Sequence, residues 1–529
     1  MAKPTHVRQA ESGTADSEIA TGLAAQQAGN WAAALAHFRH AADLDPMRAS
    51  TWLLVGDALA RLANWQEAVE AYRKATSLDA AYADAHNNLG IALLEIKCEK
   101  EAVQSFANAI GANPNQANAY FNLGKILAGQ GQSGIATELF TKAIAIEPAH
   151  AYAHHELGNS QEKMGFLYDA AHSYRRSVEL DPTRTVRVNL AAVLTLLGDP
   201  LGPEQLEELM REQPFDAESH WNLAMGLLLH GNFRQGWQEY EWRTEMPRFH
   251  KHHHRFDTLN LPRWRGENLD GKAILLYGEQ GHGDTLQFLR YVPAVVERGG
   301  RVILEVLPLL KELLRDFPGI AACISPDDPK PQFSVYAPLM SLPWLLDAQF
   351  IPPPVWPGVL NPQPLTSRRL KVGLAWSGNP DQKRDHLRSI PLEQWNSLGL
   401  LKGVSFTALQ MGPSRFEPSA TEPTIPFVAD CFNLPDFASL AAVIAKQDLV
   451  ISVDTAVAHL AGTMGKPLWI LLPLSVDWRW GLSGDSTPWY PNAKLFRQKT
   501  PGSWTDIMND VSRELAALIQ SRGRHTKTE

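Results

Sequence analysis

Residues suited to chemistry gather in three short segments, each directly after an apolar run of strand length. The first segment is GEQGHGD, residues 278–284, which ends in Gly283 and Asp284. Its glycines permit close approach of the backbone to a ligand. The aspartate could act as a general base on a hydroxyl group, or it could only cap the helix that follows. The segment therefore predicts either a catalytic base or a helix cap.

The second segment, SGNPDQKRDHLRSIP at residues 377–391, is rich in cations. Several cations in one short loop could neutralise a diphosphate and stabilise it as it leaves. A solvated cluster of surface charges is the alternative. The candidate phosphate-binding residues of this loop are Ser377, Gly378, Lys383, Arg384 and Arg388.

The third segment lies within DLVISVDTAVAHLAGTMGKPLWILL, residues 448–472. Its two ends have the length and composition of buried parallel strands, and the small residues between them predict a helix. Asp454 and Thr455 stand where the first strand gives way to that helix, and His459 lies about one turn into it. The first turn of such a helix attracts anions. Alternatively, Asp454 and Thr455 only cap the helix and His459 is an ordinary partly buried histidine.

These three segments need a parallel sheet to bring them together. From Lys272 onward, short apolar strands alternate with helical runs and glycine-rich loops, which predicts doubly wound parallel sheets. A proline-rich break divides this region into two halves, which we place at residues 269–360 and 361–518. Ligands of such sheets bind at the carboxyl ends of the strands, so the segments should meet in the cleft between the halves. A nucleotide-linked substrate suits that cleft.

The first half of the chain follows a 34-residue period. Glycines recur at this spacing, with an alanine twelve residues after each and an aromatic residue four further on. The glycines are Gly22, Gly56, Gly90, Gly124 and Gly158, and the aromatics are Phe38, Tyr72, Phe106, Phe140 and Tyr174. The small residues let two helices of a hairpin approach closely, and the aromatic should fill the gap to the next hairpin. We predict about seven helical hairpins within residues 15–246.

Stacked hairpins form a superhelix whose concave face binds extended partners. The sixth position of the repeat should line that face, where carboxamides could hydrogen-bond a peptide backbone without selecting side chains. Solvated asparagines are the alternative. The candidate residues are Asn88, Asn122, Asn189 and Asn222.

The repeat pattern resembles the tetratricopeptide repeat family. From about Lys272 to Gln498, the chain resembles the heptosyltransferase-type glycosyltransferases of family nine. VDTAVAHLAG is similar to that family's Asp-Thr-Gly-x-x-His-Leu signature, and GHGDTLQFLRYVPAV to its Gly-Asp-x-x-x-x-x-Pro loop. The repeats combined with RSIPL and DWRW…PWYP are similar to bacterial tetratricopeptide-repeat glycosyltransferase-like proteins. The implied fold class is α + α/β, an N-terminal repeat superhelix followed by a GT-B-like pair of Rossmann-type domains.

The resemblance implies roles for individual residues. Asp284 would deprotonate the acceptor, while Arg388, helped by Lys383 and Arg384, would bind phosphate. Those expected to contact the nucleoside, diphosphate or sugar of the donor are Gln410, Asp454, Thr455, Ala456 and His459. Those expected beside the sugar or acceptor are His282, Gly283, Trp478 and Arg479. Ala456 replaces the signature glycine, which reduces backbone freedom there.

The same family inverts the anomeric centre by direct displacement and uses no metal. We therefore expect a nucleotide-sugar donor, no cofactor and no metal site. The histidine cluster at residues 250–254 accompanies no other metal-ligand pattern and is interpreted as part of a solvated linker, residues 247–268.

Composition excludes several other classes of protein. A formal net charge of −8 gives no support to nucleic-acid binding. Three scattered cysteines offer neither disulfide nor metal-ligand spacing, and no apolar run has the length of a membrane span. We expect a cytoplasmic protein with disordered ends at residues 1–14 and 519–529.

The leading hypothesis is an inverting nucleotide-sugar-dependent glycosyltransferase whose repeats recruit a protein or another polymeric acceptor. The alternative is a non-catalytic repeat scaffold with a degenerate nucleotide-binding domain. In a third hypothesis, the acceptor is a lipid-linked or lipopolysaccharide sugar and the repeats dock other enzymes of the pathway.

Overall fold

The structure is a computed structural model, which describes residues 5–249, 253, 256, 261–356, 369–380, 382, 385–411, 425–500 and 502–525. For residues 5–13 and 523–525 it describes the backbone alone. The chain divides into two compact units. The first comprises residues 1–164 and 168–187, and the second comprises residues 165–167 and 188–529.

In the described part of the chain, fourteen α-helices precede the first strand and pair as seven hairpins. They are α1 Thr5–Gln27, α2 Trp31–Leu44, α3 Ala49–Arg61, α4 Trp65–Leu78, α5 Ala83–Glu95, α6 Glu99–Ala112, α7 Ala117–Gly129, α8 Ser133–Ile146, α9 Ala151–Lys163, α10 Leu167–Leu180, α11 Arg184–Leu197, α12 Leu201–Glu212, α13 Ala217–Leu229 and α14 Phe233–Tyr240.

The repeating glycines of the first unit sit against the repeating aromatics. A Cβ atom added to Gly90 would lie 2.6 Å from the ring of Phe106, and one added to Gly158 would lie 2.6 Å from the ring of Tyr174. Each aromatic therefore packs on the glycine of its own hairpin, whereas the sequence suggested that it fills the gap to the next one. The missing side chain makes room for the ring, because packed interiors leave no spare volume.

Ten strands follow among the residues that the structure describes, and all of their pairings are parallel. The first sheet has the order β3-β2-β1-β4 and the second has the order β10-β9-β8-β5-β6-β7. The strands are β1 Ala273–Tyr277, β2 Arg301–Glu305, β3 Ile320–Ile324, β4 Val335–Pro338, β5 Leu370–Ala375, β6 Val404–Ala408, β7 Phe427–Asp430, β8 Leu449–Val453, β9 Leu468–Leu472 and β10 Ala493–Arg497.

Helices alternate with these strands, as buried parallel strands require. They are α15 His282–Phe288, α16 Val292–Glu297, α17 Pro308–Leu314, α18 Leu342–Leu345, α19 Asp385–Arg388, α20 Asn396–Gly399, α21 Phe437–Ala445, α22 Ala456–Thr463 and α23 Thr505–His525. The predicted fold class, a helical repeat array followed by parallel-sheet α/β domains of GT-B-like type, is confirmed.

The two ends of the chain differ from the prediction of disorder at residues 1–14 and 519–529. Helix α1 begins at Thr5, and helix α23 continues to His525. An established helix adds residues at little cost, because each further residue gains a hydrogen bond. In α23 the anchor is an apolar face that includes Val511 and Leu515, both 0% exposed.

The predicted linker, residues 247–268, also differs where the structure describes it. His253 is buried rather than solvated, with its Nε2 atom 2.8 Å from Glu279 Oε2. Trp264 is 0% exposed and joins the core of the α/β region. His250, Lys251, His252 and His254 lie outside the described residues.

Helix α14 packs in the same hydrophobic core as the sheets. Its Trp237 makes edge-to-face contacts with Phe288, Trp478 and Trp489, at ring-centroid distances of 5.8, 5.3 and 6.5 Å. Gly236 stands where the repeat pattern has alanine, and an added Cβ would lie 2.7 Å from Leu228. From Val188 onward, the sixth and seventh hairpins belong to the same compact unit as the α/β domains.

Candidate functional site

A cavity of about 250 Å³ lies between the loops that follow β1, β5, β8 and β9. It receives side chains from all three segments that the sequence singled out. Ten of the predicted site residues line it: His282, Gly283, Asp284, Gly378, Arg388, Asp454, Thr455, Ala456, His459 and Arg479. A second cavity of about 150 Å³ shares Arg388 and Asp454 with the first and adds residues after β9.

Three predicted residues do not line either cavity. Ser377 is 2% exposed, and its backbone N–H donates to Gln410 Oε1 at 3.3 Å. Gln410 therefore ties the ends of β5 and β6 together. Trp478 is 6% exposed and packs among aromatic rings of the core, so it offers no stacking face to a sugar. Lys383 and Arg384 lie outside the described residues.

Asp284 occupies the first turn of α15, where both of its oxygens have partners. Its Oδ2 atom accepts the backbone N–H of Gly281 at 2.9 Å, which caps the helix. Its Oδ1 atom forms an ion pair with Arg479. Burial raises the pKa of Asp284, and Arg479 opposes that rise. The residue is thus a helix cap and also a cavity-lining carboxylate held close to a cation.

Arg479 joins the two halves of the α/β region. Besides Asp284, it contacts Asp477 through Nη1 at 2.7 Å and Gln287 through Nε. One guanidinium therefore lies between a carboxylate of each half. The planar guanidinium presents several N–H donors in a fixed fork, so it can hold three partners at once. The sequence placed Arg479 beside sugar or acceptor, but its nearest partners are carboxylates of the protein.

A hydrogen-bonded chain shapes the loop after β5. Asp385 is 0% exposed, and its Oδ1 atom accepts from Arg388 Nε at 3.2 Å. Its Oδ2 atom accepts from Ser389 Oγ at 2.9 Å, and that hydroxyl oxygen accepts from Gly378 N at 2.9 Å. A Cβ at residue 378 would lie within 3.0 Å of Asp385 and Arg388. Glycine at this position is what lets Arg388 lie across the loop.

Helix α22 begins at the cavity wall. Thr455 is its N-cap, and its hydroxyl oxygen accepts from Val457 N at 3.3 Å. Ala456 opens the helix, and it is not among the described non-glycine residues with positive φ. Alanine adopts helical dihedrals readily, so the loss of the signature glycine strains nothing in this backbone.

His459 is held at the contact between α22 and α15. Its Nδ1 atom lies 2.7 Å from Tyr490 Oη, and its Nε2 atom lies 3.8 Å from Asp454 Oδ1. Burial and nearby arginines lower the pKa of His459 well below its usual value, so the ring is neutral near pH 7. A Cβ at Gly283 would lie 2.6 Å from the imidazole. Gly283 thus permits this close contact between the halves.

Four residues of this network were not among the predicted site residues: Gln280, Asp385, Asp477 and Tyr490. Gln280 and Asp477 line the cavity directly. Asp477 and Tyr490 stand within the DWRW and TPWYP motifs, and Asp385 stands between the loop's cations. Their positions inside motifs already noted were a usable signal, but side-chain pairing across the fold was not visible in the sequence.

The asparagine candidates are all half-buried. In the first unit, Asn88 Nδ2 donates to Asp57 Oδ1 at 2.9 Å. Asn122 Nδ2 donates to Asn87 Oδ1 at 3.1 Å, and Asn87 Nδ2 donates to Asn88 Oδ1 at 3.2 Å. These amides form a ladder between successive hairpins. The role of all four asparagines in contacting a partner stays a prediction, Asn189 and Asn222 lying in the second unit.

Within the described ranges, no three His, Cys, Asp or Glu side chains form a group that could hold a metal ion. None of the described helices combines the length and apolar composition that a bilayer crossing requires.

The α/β region and the repeats both have recognisable relatives. Residues 433–502, which include α22 and the loop carrying Arg479, match one family model. They match glycosyltransferase family 9 (heptosyltransferase). Two further stretches match tetratricopeptide repeat models, residues 56–96 and residues 117–150. The chain therefore joins tetratricopeptide repeats to a family 9 glycosyltransferase region.

One curated relative of this chain is Protein FlbA of Caulobacter vibrioides, 26% identical over 333 residues. The alignment covers 56% of this chain and 54% of FlbA, so the chain spans about half the length of the relative it matches.

Solved structures align with part of the chain. Pseudomonas aeruginosa pilF is 22% identical, with a TM-score of 0.37, and covers 40% of this chain and 96% of its own. The structure of MamA from residue 41 to the end, from Desulfovibrio magneticus RS-1, is 25% identical with a TM-score of 0.30. The alignment covers 32% of this chain and 97% of the MamA chain. YrrB, described as a TPR protein with an unusual peptide-binding site, is 21% identical with a TM-score of 0.32. The alignment covers 34% of this chain and 95% of the YrrB chain.

Proposed function

We propose that this protein is a glycosyltransferase that uses a nucleotide sugar and inverts the anomeric centre. The observation that most supports this proposal is the cavity. It is lined by Asp284 of the first half and by Arg388, Asp454 and the start of α22 of the second half. A carboxylate facing a cation across a cleft suits deprotonation at one side and departure of a diphosphate at the other. The match of residues 433–502 to a glycosyltransferase family supports this chemistry.

In the proposed reaction, Asp284 takes the proton of an acceptor hydroxyl. The hydroxyl oxygen forms a bond to the anomeric carbon as the bond from that carbon to the diphosphate oxygen breaks. Arg388 and the N-terminal turn of α22 stabilise the charge on the departing nucleoside diphosphate. Arg479 favours the ionised form of Asp284 before the transfer. We propose no cofactor or metal for these steps.

We propose that Asp454 binds the sugar of the donor rather than its diphosphate. Asp454 is half-buried beside a neutral His459, and removal from water raises the pKa of its carboxyl group. A carboxylate in such a place accepts hydrogen bonds from hydroxyl groups more readily than it tolerates a phosphate.

The repeats are proposed to recruit a protein or another polymeric acceptor. Tetratricopeptide arrays are interaction modules, and the amide ladder of Asn88 and Asn122 lies on helices of the first unit. We further propose a cytoplasmic site of action, which agrees with three cysteines that are all free.

A second candidate is a non-catalytic scaffold that retains nucleotide binding. One observation favours it, since both oxygens of Asp284 already have partners within the protein. Each carboxylate oxygen still has a second lone pair, so the geometry permits the base role as well.

The test is incubation of the purified full chain with a panel of nucleotide sugars, with and without candidate polymeric acceptors. We expect one donor to raise the melting temperature and to release its nucleoside diphosphate. If a donor raised the melting temperature but no donor released its nucleoside diphosphate, the result would support the scaffold. Neither a shift nor release with any donor would overturn both proposals.

A further inference from the structure

The seventh hairpin packs against both halves of the α/β region, behind elements that carry cavity residues. Trp237 of α14 packs on Phe288 from the first half and on Trp478 and Trp489 from the second. Trp478 immediately precedes Arg479, whose guanidinium lies 4.3 Å from its ring centroid. One buried indole of the last repeat thus supports the residue that pairs with Asp284.

The turn after α14 anchors the glycine-rich loop through buried charges. Arg243 is 0% exposed, and its Nη2 atom donates to Glu279 Oε1 and to Ser341 Oγ, each at 2.7 Å. Burial disfavours the ionised form of Glu279, but Arg243 and His253 outweigh it and hold the pKa of Glu279 at about 2. The loop therefore stays fixed to the repeat by a charged pair that water does not screen.

The residue after Glu279 carries this contact into the cavity. Gln280 lines the cavity, and its Nε2 atom donates to Tyr240 Oη at 3.0 Å. Tyr240 is 1% exposed and belongs to α14. Because one N–H of the amide is held by Tyr240, the orientation of the group is fixed, and its carbonyl oxygen can accept a hydrogen bond from a ligand hydroxyl.

We propose that α14 and the turn after it, together called the splint, hold Gln280 in the position where it binds a ligand hydroxyl in the cavity. The seventh hairpin then serves the ligand site rather than acceptor recruitment. The identity of the ligand, a nucleotide sugar, rests on the proposed function. The positioning of Gln280 by α14 does not.

Tyr240→Phe tests the splint, because it removes one hydroxyl and keeps the ring that packs in the core. We expect faster hydrogen exchange of the amides in residues 278–284 of the free protein, and a KM for the nucleotide sugar raised about five-fold with kcat little changed. Tyr174→Phe is the matched control, since Tyr174 is also buried and donates to Asn159 Oδ1 at 2.8 Å in the fifth hairpin. It should change neither quantity.

A double-mutant cycle shows whether Tyr240 acts through Gln280. In a Gln280→Leu background, Tyr240→Phe should raise the KM no further. Equal exchange in the Tyr240→Phe and Tyr174→Phe proteins would overturn the splint, as would additive effects on KM. If no nucleotide sugar is turned over, the proposed function fails, while the exchange comparison still decides the splint.

Discussion

Asp284 combines two environments that act in opposite directions on its proton. Removal from water favours the neutral acid, while Arg479 favours the carboxylate. Asp477, on the far side of the same guanidinium, again favours the neutral acid at Asp284. A general base works only when ionised, so this balance decides at which pH the proposed transfer begins.

Replacement of Arg479 by glutamine should move the acidic limb of the pH profile. Because Arg479 opposes the raised pKa of Asp284, its loss raises that pKa further. Activity falls as pH drops through the pKa of the base, so the limb of kcat/KM against pH should shift to higher pH. Arg479→Lys keeps the charge and should shift the limb less. An acidic limb at the same pH in all three proteins would contradict this role.

Alanine at position 378 should weaken donor binding. The added methyl group collides with Asp385 and Arg388, so the guanidinium must leave its place across the loop. We expect the dissociation constant for the nucleotide sugar to rise about ten-fold, as for loss of one charge-assisted hydrogen bond. Calorimetry of wild type and variant measures this. Gly134→Ala, where an added Cβ meets nothing within 4 Å, should bind as wild type does. Unchanged binding by Gly378→Ala would count against Arg388 as a phosphate ligand.

The sequence predicted the site residues that directly follow strands. It did not predict the residues whose side chains hold those site residues in place. Asp284, Arg388 and Asp454 were predictable because parallel strands bring their carboxyl ends to one edge. Asp385 was not, since its role depends on pairing with Arg388 and Ser389 after the loop has folded. Trp478 was predicted beside the sugar or acceptor, but it packs on Trp237, and a tryptophan looks the same in a sequence whether it faces a ligand or the core.

Among the helices, the repeating glycines make a prediction about stability. Gly90→Ala places a methyl group 2.6 Å from the ring of Phe106, and overpacking of this kind costs about 1–3 kcal/mol. Gly111→Ala, in α6 with nothing within 4 Å of the added Cβ, should instead stabilise by about 0.4–1 kcal/mol. Chemical denaturation of the two variants compares them. If Gly90→Ala were as stable as Gly111→Ala, the close packing of glycine on aromatic would be refuted.

The repeat period predicted the helices but not which compact unit each hairpin joins. The first five hairpins follow the glycine and aromatic pattern closely, because neighbouring repeats bury each other's faces. The seventh departs from it with Gly236 and Trp237, and Trp237 is buried against the α/β domains. A departure from the repeat was visible in the sequence, but the partner of the tryptophan was not.

The boundary between the two compact units predicts where the chain tolerates truncation. A fragment of residues 182–529 keeps α11 to α14 and every contact of Trp237 and Arg243 named above. We expect it to fold and to release nucleoside diphosphate from the donor, with transfer to a polymeric acceptor reduced because the first unit is absent. Circular dichroism and product analysis check this.

A fragment of residues 247–529 is the matched comparison. It lacks Arg243, which leaves Glu279 as a buried carboxylate without its guanidinium partner, a change that costs about 3–5 kcal/mol. It also exposes Trp478 and Trp489, which now pack on Trp237. We expect this fragment to be unfolded or insoluble. A folded, active 247–529 fragment would show that the last two hairpins are dispensable.

Donor turnover by the wild-type protein and by Asp284→Asn, each with donor binding measured alongside, shows most directly whether Asp284 is the base of a glycosyl transfer. Asparagine can still accept the N–H of Gly281, so the cap survives while the base is lost. We predict that the variant binds the nucleotide sugar and releases nucleoside diphosphate about 10²–10⁴-fold more slowly. Equal turnover in the two proteins, or binding without turnover in the wild type, would contradict Asp284 as the base of a glycosyl transfer.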